Sequence, residues 1–133
     1  MGNQEAKTLI LLVEDEADFR EIFSIKLKQA GFEVVTAENG ADALEKLKTV
    51  KPSCVVMDFQ MPILNGVETF QKIKENPELT NLKVVFMTNH GEPLLEMSDV
   101  DKKFAEEIGA ANFFRKTDEL SISIDKIRQA CGG

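Results

Sequence analysis

Short apolar runs rich in β-branched residues alternate along this chain with longer segments in which apolar residues return every three or four positions. The runs are Thr8 to Val13, Phe32 to Thr36, Ser53 to Met57, Lys83 to Met87 and Ala111 to Phe114. A strand with one wet face alternates apolar and polar residues, whereas a nearly continuous apolar run is covered on both faces. Such runs belong to a parallel sheet with helices on either side. Alternation of strand and helix gives βα units, and these are wound right-handed almost without exception. The predicted fold is therefore α/β, a five-stranded, doubly wound parallel sheet of the (βα)5 kind. All its strand ends lie on one edge, where ligands of such sheets collect.

The helical segments have recognisable faces and stops. Phe19, Ile22, Phe23, Leu27 and Ala30 fall on one side of a first helix that Gly31 ends. Asn39-Gly40 opens a second, with Ala41, Leu44 and Leu47 expected to face inward and Pro52 closing the segment. Val67, Phe70 and Ile73 mark a third, ending before Pro77. Ser98 caps a predicted fourth that uses Val100, Phe104, Ala105 and Ile108, and Leu120, Ile124, Ile127 and Cys131 line the last. No internal repeat or second domain is visible.

Bulk properties narrow the function. A chain of 133 residues, 43% apolar, buries a single core without staples. No apolar stretch is long enough to span a bilayer. The first residues lack the apolar centre of a signal peptide, so the expected location is cytoplasmic. Cys54 and Cys131 show no metal-ligand spacing and are expected to be reduced thiols, Cys54 packing in the core. A net charge of −7 without a polybasic block argues against direct nucleic-acid binding and suits a divalent cation or a basic partner.

The common strand edge gathers Glu14 and Asp15 after the first run, Asp58 after the third, Thr88 after the fourth and Lys116 after the fifth. Taken singly, Asp58 is either a turn cap or a site residue, and Thr88 and Lys116 read as a turn residue and a surface charge. Glu16 and Asp18 read as helix N-terminal charges, and His90 as a solvated loop residue. Three carboxylates together are different, because their repulsion grows as water is excluded. Oxygen ligands without a nearby imidazole point to a hard cation, and an open site with few protein ligands suits Mg2+, with Mn2+ as a substitute. A carboxylate in such a site can be a nucleophile that forms an acyl phosphate. Lys116 and the Thr88 hydroxyl would then offset charge on the transferring group.

Glu14-Asp15, Asp58 followed by Met61-Pro62 and Gly66, Thr88 and Lys116 together resemble the receiver domain of two-component response regulators, of the single-domain, CheY-like type. The resemblance covers about residues 7–131, leaving tails at 1–6 and 132–133. It implies the flavodoxin-like strand order 2-1-3-4-5. It also implies that Asp58 accepts a phosphoryl group from the phosphohistidine of a sensor histidine kinase or a phosphotransfer protein. Asp15, Asp58 and the backbone carbonyl of Gln60 would ligate Mg2+, with Glu14 acting through a water. Thr88 and Lys116 would hold phosphoryl oxygens, and Phe113 would be the aromatic switch residue of a population shift. The output would be a change of protein partner, with no nucleic acid or membrane contacted, from a monomer or a weak homodimer.

The chain departs from the family pattern in places. Glu14 stands where many receivers have Asp, and Thr117 follows Lys116 where Pro is usual, so a trans bond or a reshaped loop is expected there. The interval from Thr88 to Lys116 is long and contains Pro93, which predicts an extended loop or a broken helix. Gln60, Asn89 and His90 border the path of hydrolytic water and are expected to tune the lifetime of the phosphorylated state. Two rival readings keep the fold: a receiver-like interaction module that is never phosphorylated, and an aspartyl-phosphate phosphohydrolase. Gln60 counts against the hydrolase, since it stands where a second Asp would serve as general acid.

Overall fold

The computed structural model describes residues 8–58, 66–79, 82–88, 113–116 and 119–131. In chain order these form β1 (Leu9–Val13), α1 (Ala17–Gln29), β2 (Glu33–Ala37), α2 (Gly40–Lys46), β3 (Cys54–Asp58), α3 (Gly66–Glu75), β4 (Lys83–Thr88), β5 (Phe113–Arg115) and α4 (Leu120–Cys131). The five strands make one sheet in the order β2-β1-β3-β4-β5, every pairing parallel. The helix expected around residues 98–108 and the loop containing Pro93 lie outside the described residues.

Side chains alternate across a strand, so each apolar run is divided between two cores. Leu11, Val13, Val55, Met57, Val84 and Phe86 point to one face and pack with Ala43, Leu47 and Ile73 of the α2 and α3 segments. Ile10, Leu12, Cys54, Val56, Val85 and Met87 point to the other, against Phe23 and Leu27 of α1 and Ile124 and Ile127 of α4. This division is why β1, β3 and β4 carry no polar alternation.

Local signals account for the helix ends. Asn39 Oδ1 accepts from the Asp42 N–H at 2.8 Å, while Asp42 Oδ2 accepts from the Glu38 N–H at 3.0 Å, so α2 begins with reciprocal side-chain caps. Gly31, at φ 102°, takes the left-handed turn that ends α1. There the Phe32 N–H donates back to the Leu27 carbonyl at 3.1 Å. Arg128 of α4 donates to the Ala30 carbonyl at 2.7 Å, tying the last helix to the end of the first.

Four sequence expectations need correction. Ala41 is exposed, and Ala43 is the residue that enters the core with Leu47, because the buried side of α2 runs through Gly40 and Ala43. Ile22 is 58% exposed, since the buried stripe of α1 runs through Phe23 and Leu27 and leaves Ile22 on its flank. Strand β2 starts at Glu33 and ends at Ala37, one residue further on than expected, and β5 includes Arg115, while residues 111–112 lie outside the described residues. Finally, Cys54 and Cys131 are joined as a disulfide across 77 positions, their Cα atoms 5.4 Å apart, and are not reduced thiols. Sequence spacing holds no trace of this pair, because it is the packing of α4 on β3 that brings the two sulfurs together.

Candidate functional site

Parallel winding puts the ends of β1, β3, β4 and β5 side by side. Val13 pairs with Met57, Asp58 with Met87, and Thr88 with Arg115, so Glu14, Asp58, Thr88 and Lys116 all leave the sheet at one edge. Glu14 is 0% exposed and Asp58 2%, while Asp15 faces out. One carboxylate oxygen from each of the three lies within 4.8 Å of the others.

Lys116 occupies the centre of this cluster, its side chain 6% exposed. Its Nζ is 2.6 Å from Glu14 Oε1, 3.0 Å from Asp58 Oδ2 and 3.5 Å from Glu16 Oε1. It donates a hydrogen bond to Asp58 Oδ2. The second Glu14 oxygen, Oε2, accepts from the Glu16 N–H at 3.0 Å. Arg20 Nη1 donates to the Glu14 carbonyl at 2.7 Å and Nη2 pairs with Glu38 at 3.8 Å, which clamps the β1–α1 turn.

The electrostatics follow from burial. Loss of water pushes the Glu14 carboxyl up to about 7 from its ordinary 4.5, and the nearby Asp58 charge adds to this, against the opposing pull of Lys116 and the Glu16 N–H. Burial alone would lower the Lys116 ammonium. Its contacts with Glu14 and Asp58 outweigh that and leave it above the ordinary lysine value.

The donor set fits a hard divalent cation. It consists of carboxylate oxygens from Glu14, Asp15 and Asp58, and among the described residues the buried Glu14 Oε1 has the Lys116 ammonium, 2.6 Å away, as its partner.

Of the residues expected at the site, the structure brings Glu14, Asp15, Asp58 and Lys116 together. Thr88 is placed by its backbone at the end of β4, and Phe113 by its backbone opposite Phe86. Gln60, Asn89, His90 and Thr117 lie outside the described residues. Sequence reasoning did not assign Glu16, Phe19 or Arg20 to the site. Glu16 precedes α1 without a side-chain cap bond and leans toward Lys116, so its reading as a mere helix-end charge is incomplete. Phe19 and Arg20 return to the strand edge one helical turn after Asp15 and Glu16, a spacing of four that was available in the sequence.

The response regulator receiver domain family matches residues 10–128. The chain belongs to this family. Among curated relatives, it is 38% identical over 101 residues to the transcriptional regulatory protein CpxR homolog of Haemophilus influenzae, covering 76% of this receiver and 40% of that protein. It is 32% identical over 134 residues to a protein-glutamate methylesterase/protein-glutamine glutaminase of Halalkalibacterium halodurans, covering 93% of the receiver and 35% of the relative. The receiver thus spans less than half the length of these relatives. Among solved structures, the bacteriophytochrome response regulator AtBRR superposes with a TM-score of 0.73 at 26% identity, covering 95% of the receiver and 94% of that chain. Chemotaxis protein CheY4 of Vibrio cholerae has the same fold, with a TM-score of 0.79 at 23% identity over 94% and 99% of the two chains. Among the described residues, no helix is long and apolar enough to cross a membrane.

Proposed function

We propose that residues 7–131 form a phosphoacceptor switch in which Asp58 takes a phosphoryl group from the phosphohistidine of a sensor histidine kinase or a phosphotransfer protein. The observation that carries this reading is the Lys116 ammonium, 3.0 Å from Asp58 and 2.6 Å from Glu14 in a buried corner of the strand edge. A buried ammonium so placed neutralises a carboxylate nucleophile and can follow the charge onto an arriving phosphoryl group.

In the proposed step an Asp58 carboxylate oxygen attacks phosphorus. The P–O bond forms as the P–N bond to the donor imidazole breaks, and the imidazole leaves with the bonding pair and picks up a proton. Asp58 becomes an acyl phosphate, the reaction class open to a carboxylate nucleophile. Asp15, Asp58 and the Gln60 carbonyl would hold Mg2+, with Glu14 acting through a water, and the ion would supply positive charge to the phosphoryl oxygens. Thr88 would donate its hydroxyl to one phosphoryl oxygen and Lys116 would pair with another. Phe113 would change its packing with this new charge and alter the surface that partners read. Gln60, Asn89 and His90 would set how long the phosphate lasts.

The test is incubation with Mg2+ and acetyl phosphate followed by intact mass measurement. One phosphoryl adduct is expected, absent in Asp58→Asn and absent when EDTA replaces Mg2+. No adduct in the wild type, with a rapid-quench control for fast hydrolysis, would leave the unphosphorylated interaction module as the better reading. Continuous phosphate release from many small phosphoesters would favour the phosphohydrolase.

A further inference from the structure

The placement of Lys116 raises a physical question that its carboxylate partners do not answer. Strand β5 is described over Phe113–Arg115, where it pairs with β4, and Lys116 lies in the turn just beyond it. A long flexible side chain at the end of a strand has many rotamers, and fixing it costs side-chain entropy. Glu14, Asp58 and Glu16 attract the ammonium, but charge attraction is not directional.

Phe19 supplies a contact of another kind. The Lys116 Nζ lies over the Phe19 ring, 4.8 Å from its centroid. Phe19 stacks on Phe23 with centroids 5.4 Å apart and planes 19° from parallel, and Phe23 meets Phe114 at 5.9 Å. Phe114 is buried in β5, two residues before Lys116. A column of three rings therefore runs from the core beneath β5, along the first two turns of α1, and back up to the ammonium. The ring face presents negative potential to the cation and excludes water from it, an interaction that strengthens as the cation is desolvated.

We propose that Phe19 is a positioning residue for Lys116, holding the ammonium at the Glu14–Asp58 edge through its ring face. The column makes that position depend on the packing of α1 against β5. The effect on phosphorylation rests on the reading of Asp58 given above, while the placement of the ammonium does not.

Two measurements on the whole chain test this. The first is the proton chemical shift of the Lys116 ε-methylene group, assigned by comparison with Lys116→Arg. A ring face above the ammonium displaces this signal upfield in the wild type. The displacement is expected to persist in Phe19→Tyr and to vanish in Phe19→Leu and Phe19→Met, the latter keeping most of the side-chain volume should the leucine variant fold poorly. The second is the initial rate of adduct formation with Mg2+ and acetyl phosphate. It should fall about three- to tenfold in Phe19→Leu and Phe19→Met, and stay within about twofold of the wild type in Phe19→Tyr. A merely structural ring would alter melting temperature in every variant without sorting them by aromatic character. An upfield signal retained in the folded aliphatic variants overturns the proposal, and so does an unchanged rate in those variants. If the wild type forms no adduct, the reading of Asp58 fails, and the shift comparison alone then decides the role of Phe19.

Discussion

Glu14 shows what a single residue contributes once its surroundings are known. In sequence it is one acid in Glu14-Asp15-Glu16; in the structure it is the only one of the three that is wholly buried. Its carboxyl is pushed up to about 7, so between roughly 4.5 and 7 the folded chain keeps a proton that the unfolded chain has released. The unfolded state therefore binds fewer protons in this window, and the contribution of Glu14 to stability declines as pH rises through it. In EDTA, the stability of Glu14→Gln relative to the wild type is expected to increase from pH 4.5 to 7.5, by on the order of 2 kcal/mol. Urea midpoints at several pH values check this, and parallel curves for the two proteins would refute it. Lys116 has the opposite character: its raised value means that its contribution is intact below the ordinary lysine value and is lost only in more alkaline solution. The acidic cluster and the lysine were legible in the sequence because each follows an apolar run. The roles of Phe19 and Glu16 were not, because they depend on where a side chain turns after it leaves the helix.

Elements were legible to the extent that their signals are local. The caps of α2 and the glycine stop of α1 stand where Asn39 and Gly31 announce them, since a cap is a bond between residues a few positions apart. Asn39→Ala removes the acceptor for the Asp42 N–H at an otherwise short helix, and a loss of about 1 kcal/mol is expected in chemical denaturation. A change below experimental error would mean that the reciprocal Asp42 bond to Glu38 is sufficient by itself. Phase within a helix was harder to read. Ala41 and Ala43 are both small and apolar, and the choice between them was made by which side of α2 meets Leu11 and Val13, a contact absent from any local window.

At the scale of the whole molecule, the Cys54–Cys131 bond ties the first residue of β3 to the last residue of α4. Closing a loop of 77 positions removes conformational freedom from the unfolded chain. Reduction is expected to lower stability by about 2–4 kcal/mol and the melting temperature by about 10 °C. Calorimetry with and without dithiothreitol measures this, with Cys131→Ser as the control that should no longer respond; equal melting temperatures would show that the bond adds nothing in solution. By itself the sequence determined the α/β class, the order of strands and helices, and the convergence of Glu14, Asp15, Asp58, Thr88 and Lys116 on one edge. These follow from periodicity and from the fixed hand of parallel winding, both of which act through the backbone. Only the tertiary structure decided that Lys116 bridges Glu14 and Asp58, that Phe19 lies against it, and that two distant cysteines meet. Each of those is a contact between side chains brought together by packing, and packing is set by the shapes of all the surrounding residues at once.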